Sequence, residues 1–130
     1  MPWTSSFDAE RHALFITATG VLTDEELRSG TTTTFQDPRQ RSTLRVLLDY
    51  SGTTNILVTV ATVQQLATNK AFLPGSRRAF LASSDLAYGM GRMYKAYAEG
   101  GLNGEVRVFR DRGRALAWLN EDAPPDKIIT

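Results

Sequence analysis

Residues 44–71 read LRVLLDYSGTTNILVTVATVQQLATNKA, and this stretch decides the fold class. The run Val46–Leu48 is uninterrupted and apolar, which is typical of a strand covered on both faces. Residues 49–55 follow as a run of mostly turn-forming residues. From Val60 onward, apolar residues return at helical spacing. The stretch therefore predicts a buried strand, a polar turn and a helix.

The predicted polar turn is the natural position for a binding site, because ligands of open α/β sheets bind beyond the carboxyl ends of the strands. Asp49 has two interpretations: a carboxylate facing a crevice, or an acceptor for backbone amides of its own turn. We favour the second, and the same choice applies to the neighbouring hydroxyl groups. The candidate side chains are Asp49, Ser51, Thr53 and Thr54.

Length and composition indicate one ordinary globular domain. The chain has 130 residues, of which 42% are apolar and 22% are charged. Fifteen basic and fourteen acidic residues give a net charge of +1, which argues against a nucleic-acid partner or an anionic membrane surface. The absence of cysteine excludes a disulfide framework, a thiol nucleophile and a zinc–thiolate site.

The sequence shows no targeting segment. Residues 1–6 lack a basic region followed by an apolar one, so no signal peptide is predicted. The apolar run Ala115–Leu119 is far shorter than the roughly 20 residues that a membrane-spanning helix needs. We therefore expect a cytoplasmic protein without membrane insertion, and nothing in the sequence calls for a cofactor or a metal.

Strand-like and helix-like segments alternate along the rest of the chain. The first helix follows a hairpin and begins with the capping box Thr23–Glu26. Thr31–Thr34 are poor helix formers, but we predict helix here in preference to an irregular loop. The predicted strands are Trp3–Asp8, Ala13–Thr19, Val46–Leu48, Arg78–Ser83 and Glu105–Arg110, and the predicted helices are Asp24–Phe35, a segment from Val60 that ends before Gly75, Asp85–Glu99 and Asp111–Asn120.

This β-β-α-β-α-β-α-β-α order predicts an α/β fold with a single mixed, mostly parallel five-stranded sheet and about four helices. The hairpin supplies one antiparallel edge pair. We assign residues 1–120 to a single domain. Residues 121–130, which include Pro124 and Pro125, are expected to form a weakly ordered tail.

Four stretches, taken in order, carry a family resemblance. They are Gly20–Thr23, Leu48–Gly52, Ser83–Tyr94, and Val108–Asp111 followed by Ala115–Leu119. From about Phe7 to Leu119 the chain resembles the SpoIIAA-like, or STAS, fold of the anti-sigma-factor antagonists. It is more similar still to the bacterial SpoIIAA-like family, which is grouped with STAS and CRAL-TRIO-type lipid-binding domains. The resemblance implies a binding module for a protein partner or a small apolar ligand.

The resemblance also shows a departure from the family's phosphoswitch. Anti-sigma-factor antagonists carry Asp-Ser-Ser-Gly at the start of the helix after the central strand, and a partner kinase phosphorylates its serine. The corresponding positions here are Leu57–Val60, where Val58 stands in place of the serine and the glycine is missing. Thr59 is a poor substitute one position on. We therefore expect a module without the phosphorylatable serine.

A second polar turn follows the predicted strand Arg78–Ser83. Ser84 is a good N-cap for the next helix. Arg92, two turns into that helix, is either a surface arginine or an ion-pair partner at the same edge of the sheet. We predict that it lies within ion-pair reach of Asp49 or Asp85. The candidates from this turn and helix are Ser84, Asp85, Tyr88 and Arg92.

Other conspicuous residues have simpler explanations. His12, in the hairpin turn, is expected to be solvated. Gly89 and Gly91 lie inside a predicted helix, so they indicate close packing rather than a phosphate loop. Leu86, Met90, Met93 and Tyr97 are predicted to form the core face of that helix, and Arg107, Arg110, Arg112 and Arg114 a solvated edge.

Three functions are compatible with these observations. The first is a non-enzymatic STAS-like module that binds a protein partner or small ligand at the strand carboxyl ends, with a homodimer as one possible assembly. The second is a carrier or sensor of a small apolar ligand, and the third is an enzyme of unknown reaction. An enclosed apolar pocket of several hundred cubic ångströms beside the helix Leu86–Tyr97 would favour the carrier, a filled core with an exposed apolar patch the partner module, and a cluster of titratable groups the enzyme.

Overall fold

The structure, a computed structural model, describes residues 3–41, 44–68, 75–99 and 104–130. Strands and helices alternate in the predicted order. One further helical turn lies between the first predicted helix and the predicted central strand. The elements are β1 (Trp3–Asp8), β2 (Ala13–Thr23), α1 (Asp24–Thr34), α2 (Pro38–Arg41), β3 (Arg45–Leu57), α3 (Val60–Ala67), β4 (Arg77–Leu81), α4 (Asp85–Glu99), β5 (Glu105–Phe109), α5 (Arg112–Leu119) and a 3-10 turn at Pro125–Lys127.

The five strands form one mixed sheet in the order β1-β2-β3-β4-β5. β1 pairs with β2 antiparallel, and the other three pairs are parallel. β3 occupies the centre, where Val46, Leu47 and Leu48 are 0%, 1% and 5% exposed. The predicted fold class and the predicted buried central strand are confirmed.

The strand order decides where the helices lie. Each parallel crossover moves one strand further in the same direction, so right-handed connections place α1, α3 and α4 together on one face. We call these three helices the helix layer. α5 packs on the opposite face. Alternate residues of one strand serve the two cores: Leu48 belongs to the core under the helix layer and Leu47 to the core under α5.

The segment predicted as a turn, residues 49–55, is instead part of β3. β2 also continues beyond its predicted end, to Thr23, so its backbone pairs with this segment from Thr19–Gly52 to Thr23–Leu57. Turn-forming residues are held as strand because the neighbouring backbone supplies their hydrogen bonds. β4 pairs with β3 only as far as Asp49, opposite Leu81, so the rest of β2 and β3 forms a two-stranded ribbon at the carboxyl edge.

The threonine run is helical through Thr34, as predicted. Its helix is fastened to β1 by the Trp3 indole, which donates a hydrogen bond of 3.1 Å to the Thr34 hydroxyl. Gly30 makes room for the ring, since a Cβ atom there would lie 2.3 Å from Trp3 Cδ2. Glycine weakens an isolated helix, but here Gly30 permits the contact with Trp3 that packs α1 against β1.

α4 presents the predicted face except in its first turn. Met90 is buried, and Met93 and Tyr97 pack against the same core, as predicted. Leu86 is 58% exposed, so its assignment to the core was wrong. Ala87, Gly91 and Ala98 are buried beside the predicted residues. A Cβ atom at Gly91 would lie 2.6 Å from the Phe80 ring, so α4 approaches β4 closely there.

The C-terminal residues, predicted to form a weakly ordered tail, have specific contacts in the structure. Ile129 is 3% exposed within the core under α5. Its backbone exchanges two hydrogen bonds with the Asn120 side chain, of 2.7 and 2.8 Å. Arg45 donates to the Lys127 carbonyl (2.8 Å) and Arg11 to the Ile128 carbonyl (3.1 Å). These contacts tie the end of the chain to the sheet.

Candidate functional site

Polar side chains meet at the carboxyl edge of the sheet, where the sequence places them. The Asp49 carboxylate accepts from the Ser51 amide (3.0 Å) and the Ser51 hydroxyl (2.5 Å). The Ser83 hydroxyl donates to the Ser51 carbonyl (2.9 Å), which joins β3 to the end of β4. Thr53 donates to the Tyr50 carbonyl (2.7 Å), whereas Thr54 is exposed. Asp49 thus accepts from its own segment, as we favoured.

Two arginines that sequence analysis assigned to a solvated edge complete this cluster. Arg112 pairs with Asp49 at 3.3 Å, and Arg110 pairs with Asp85 at 2.6 Å. The Arg110 guanidinium also lies 4.6 Å from the centre of the Tyr88 ring. The Asp85 carboxylate is 96% exposed, so these contacts are surface contacts worth about 0–1 kcal/mol each.

The predicted ion pair of Arg92 was wrong. Arg92 is exposed, and within the described part of the chain it makes no ion pair. Both carboxylates have nearer cations, because Arg110 and Arg112 follow β5 and therefore reach the same edge of the sheet. Asp49 and Ser84 were located because they follow the carboxyl ends of strands. The same rule, applied to the end of β5, would have located Arg110 and Arg112. Ser84 does cap α4, since its hydroxyl accepts from the Ala87 amide (3.1 Å).

Among the described strands, the carboxyl edge has no topological switch point of the kind that opens a deep crevice. Such a crevice opens where neighbouring crossovers leave a sheet on opposite faces. Here β2 to β5 follow one another in chain order, and α1, α3 and α4 all cover one face. The hollows at this edge are open to solvent: one is lined by Asp49 and Arg112, another by Tyr88 and Arg110. A more enclosed space lies at the interface between the sheet and the helix layer.

A mostly apolar cavity occupies that interface. Its lining atoms enclose about 540 Å³, including some open solvent, and the room for centres of water molecules is about 40 Å³. This suffices for roughly three waters in the present side-chain arrangement. The cavity lies beside α4, as the carrier hypothesis requires, but it is smaller than the several hundred cubic ångströms expected of a ligand pocket. Its lining residues are Trp3, Ile16, Leu27, Thr31, Phe35, Leu48, Tyr50, Val63, Leu66, Phe80, Met90 and Tyr94.

Two tyrosines bring polar atoms to this cavity. Tyr50 is 4% exposed, and its ring packs edge-on against Phe80 at 4.6 Å between centres. Burial raises the pKa of the Tyr50 phenol, and the neighbouring Tyr94 raises it further. Burial also raises the pKa of Tyr94, against the opposing effect of Arg78. Both phenols are therefore neutral hydroxyl groups at pH 7.

Arg78 is fully buried behind Tyr94. Its Nη1 atom donates a hydrogen bond of 2.6 Å to the Tyr94 hydroxyl, and its guanidinium lies 5.5 Å from the centre of that ring. The Tyr94 oxygen thus accepts from a charged donor, which leaves its own proton to point elsewhere.

In residues 3–41, 44–68, 75–99 and 104–130, no group of three or more His, Cys, Asp or Glu side chains is arranged to hold a metal ion. Across the same ranges, no helix combines the length and the apolar character that crossing a membrane requires. His12 is exposed in the hairpin turn, as predicted.

Comparisons with known proteins bear on the fold. No family model matches the sequence, and no curated protein does. The structure is similar to the crystal structure of an uncharacterised protein of the DUF3478 family from Shewanella loihica PV-4, described as having a SpoIIAA-like fold. The two share 20% sequence identity, with a TM-score of 0.57 over 90% of this chain and 91% of the other. This chain has a SpoIIAA-like fold.

Within the SpoIIAA-like fold, the start of α3 is the position of the phosphoswitch in the anti-sigma-factor antagonists that the sequence resembles. Here the Thr59 hydroxyl accepts from the Thr62 amide, as an N-cap, and donates to Asp24 Oδ2 at 2.9 Å. The Thr59 amide donates to the other Asp24 oxygen at 2.8 Å, and this bond is the main cause of the lowered pKa of the Asp24 carboxyl. Val58 is partly buried against the core.

We predict that an anti-sigma-type kinase does not phosphorylate the start of α3. A phosphate on Thr59 would bring up to two further negative charges beside Asp24 and remove the hydroxyl proton that Asp24 Oδ2 accepts, and both changes are unfavourable. Incubation with such a kinase and ATP, followed by peptide mapping, should find no phosphate on residues 57–60. Stoichiometric phosphate on Thr59 would contradict this prediction.

Proposed function

We propose that the protein is a non-enzymatic binding module that holds a small, mostly apolar ligand between its sheet and the helix layer. The observation that carries the proposal is the cavity itself. Ligand sites are typically concave and apolar with a few placed polar groups, and this cavity combines an aromatic lining with two phenol hydroxyls.

Trp3 supports entry of a ligand from the β1 side. It lines the cavity but is partly exposed, and it lies on the edge strand against α1. The present space holds roughly three water molecules, so a larger ligand would displace this ring. The displacement breaks one neutral hydrogen bond, to Thr34, at a net cost of about 1 kcal/mol.

A protein partner at the carboxyl edge is the second candidate. Large apolar side chains are exposed in the ribbon and in the first turns of two helices, where burial by a partner would be favourable. The predicted binding residues Asp49, Ser51, Thr53, Thr54, Ser84, Asp85, Tyr88 and Arg92 belong to this hypothesis. The exposed apolar residues are Val21, Leu57, Val60 and Leu86, at 45%, 58%, 53% and 58%.

The two tryptophans of the chain allow a direct test of the first candidate. Trp3 lines the cavity, whereas Trp118 lies in the core under α5, on the opposite face of the sheet. Trp118→Phe therefore leaves Trp3 as the single fluorescent reporter, and Trp3→Phe leaves Trp118. Brominated hydrocarbon chains quench tryptophan by contact. We expect bromooctanol to quench Trp3 saturably and to leave Trp118 nearly unchanged.

Equal quenching of the two tryptophans, or quenching that does not saturate, would contradict the proposal. Native mass spectrometry of the freshly purified protein complements this test by showing whether a ligand accompanies the chain. Circular dichroism of both variants must match that of the unsubstituted protein, because Trp118 is itself buried.

A further inference from the structure

The Tyr50 hydroxyl is a donor that the described part of the chain does not use. Tyr50 is 4% exposed and lines the cavity, and among the described residues no hydrogen bond reaches its hydroxyl. The Tyr50 oxygen nevertheless keeps some accessible surface, so a molecule in the cavity can reach it. Its ring is held by Phe80 at 4.6 Å and Trp3 at 6.4 Å between centres, which fixes the direction of the hydroxyl.

Tyr94 supplies a second donor to the same cavity. Because Arg78 donates to the Tyr94 oxygen, the phenol proton is available to another acceptor, and no acceptor for it is found among the described residues. A phenol that accepts from a guanidinium becomes a stronger donor, since hydrogen bonds in a chain polarise one another. The remaining lining is apolar apart from the Thr31 side chain.

We infer that Tyr50 and Tyr94 together bind an acceptor oxygen at one end of the ligand. The ligand class is a small apolar molecule that carries a hydroxyl, carbonyl or carboxylate head and no cationic head. This inference rests on the proposed function and adds the chemistry that the cavity selects. A protonated amine cannot accept from either phenol, and the buried Arg78 guanidinium behind Tyr94 would repel its charge.

The inference gives the Tyr50 hydroxyl a role in binding and none in folding. Tyr50→Phe keeps the ring contacts and removes only the unpartnered hydroxyl. We expect its melting temperature to equal or exceed that of the unsubstituted protein. Tyr97→Phe is the matched control, because Tyr97 packs against the same core without lining the cavity. Tyr94→Phe should lower the melting temperature, because it removes an acceptor of the buried Arg78.

Binding is measured by quenching of Trp3 in the Trp118→Phe background. The probes are terminally brominated octanol, octanoate and octylamine, together with bromooctane, which has no polar head. We expect the alcohol and the carboxylate to bind more tightly than the amine. Tyr50→Phe should lower the affinity for the alcohol about 5-fold, which is the effect of losing one neutral hydrogen bond, and should leave the affinity for bromooctane unchanged. Tighter binding of the alcohol would indicate a ligand with a neutral head, and tighter binding of the carboxylate a ligand with an anionic head.

The outcomes separate the inference from the proposed function. If no probe binds, both are overturned. If all four bind and Tyr50→Phe weakens none of them, or if the amine binds as well as the alcohol, the cavity is an apolar site without head-group selection and only the inference fails. A large fall in melting temperature for Tyr50→Phe would also overturn it, because the hydroxyl would then have a structural partner.

Discussion

Gly91→Ala lowers the free energy of unfolding by about 2 kcal/mol, whereas Gly89→Ala, half a turn away in α4, raises it by about 0.5–1 kcal/mol. Both substitutions gain the same helix propensity, so their difference measures packing alone. At Gly91 the new Cβ atom would lie 2.6 and 2.9 Å from Phe80 ring atoms and 3.0 Å from Val108. At Gly89 it would meet nothing within 4 Å.

Phe80 has little freedom to move away from a side chain at Gly91. It is 2% exposed, with Tyr50 at 4.6 Å and Tyr94 at 6.2 Å between ring centres. Displacement would push the ring toward the cavity that it lines, so Gly91→Ala should also weaken binding of apolar probes. Thermal unfolding measures the first effect as a fall in Tm of roughly 5–10 °C. If the two variants have equal free energies of unfolding, α4 moves away from Phe80 without loss of stability and the prediction is contradicted.

Ile129→Ala is expected to lower the free energy of unfolding by about 2–3 kcal/mol, the lower part of the usual range for a buried isoleucine. Ile129 is 3% exposed in the core under α5, which also contains Trp118 and Leu119. Such an effect is large for a segment that the sequence predicts to be weakly ordered.

Ile128→Ala is the matched control for this prediction. Ile128 is partly exposed and contributes its carbonyl, not its side chain, to a hydrogen bond with Arg11. The same truncation there should cost less than about 1 kcal/mol. Urea denaturation of both variants measures the difference. If Ile129→Ala and Ile128→Ala are equally mild, the last residues do not belong to the core.

The helix and strand order was readable from the sequence because it depends on local signals. The spacing of apolar residues, the capping residues and the glycines that end helices are all properties of residues close together in the chain. They favour a helix or a strand without help from tertiary packing. Thr23 caps α1 and Ser84 caps α4 as predicted. The buried run at Val46–Leu48 was recognised because a strand covered on both faces has no polar positions.

The predictions failed where a distant segment changed the outcome. Residues 49–55 have turn propensity, but β2 runs alongside and supplies the backbone partners that make them a strand. Leu86 fits the helical core pattern that Met90 confirms, but it lies in the first turn of α4, past the last paired residue of β4, and is 58% exposed. Arg92 was chosen as the cation for Asp49 because of its position in α4, whereas Arg112, from after β5, is the residue that reaches it.

The sequence by itself determined the elements, their order and the polar character of the carboxyl edge, since these depend on residue types and spacing. The tertiary structure alone decided the strand order, and with it the face on which each helix packs. Because β2 to β5 lie in chain order, three helices cover one face and enclose a cavity there, and the described sheet has no switch point at its edge. Tyr50 could therefore be found only in three dimensions: its neighbours Trp3, Phe80 and Tyr94 are far from it along the chain.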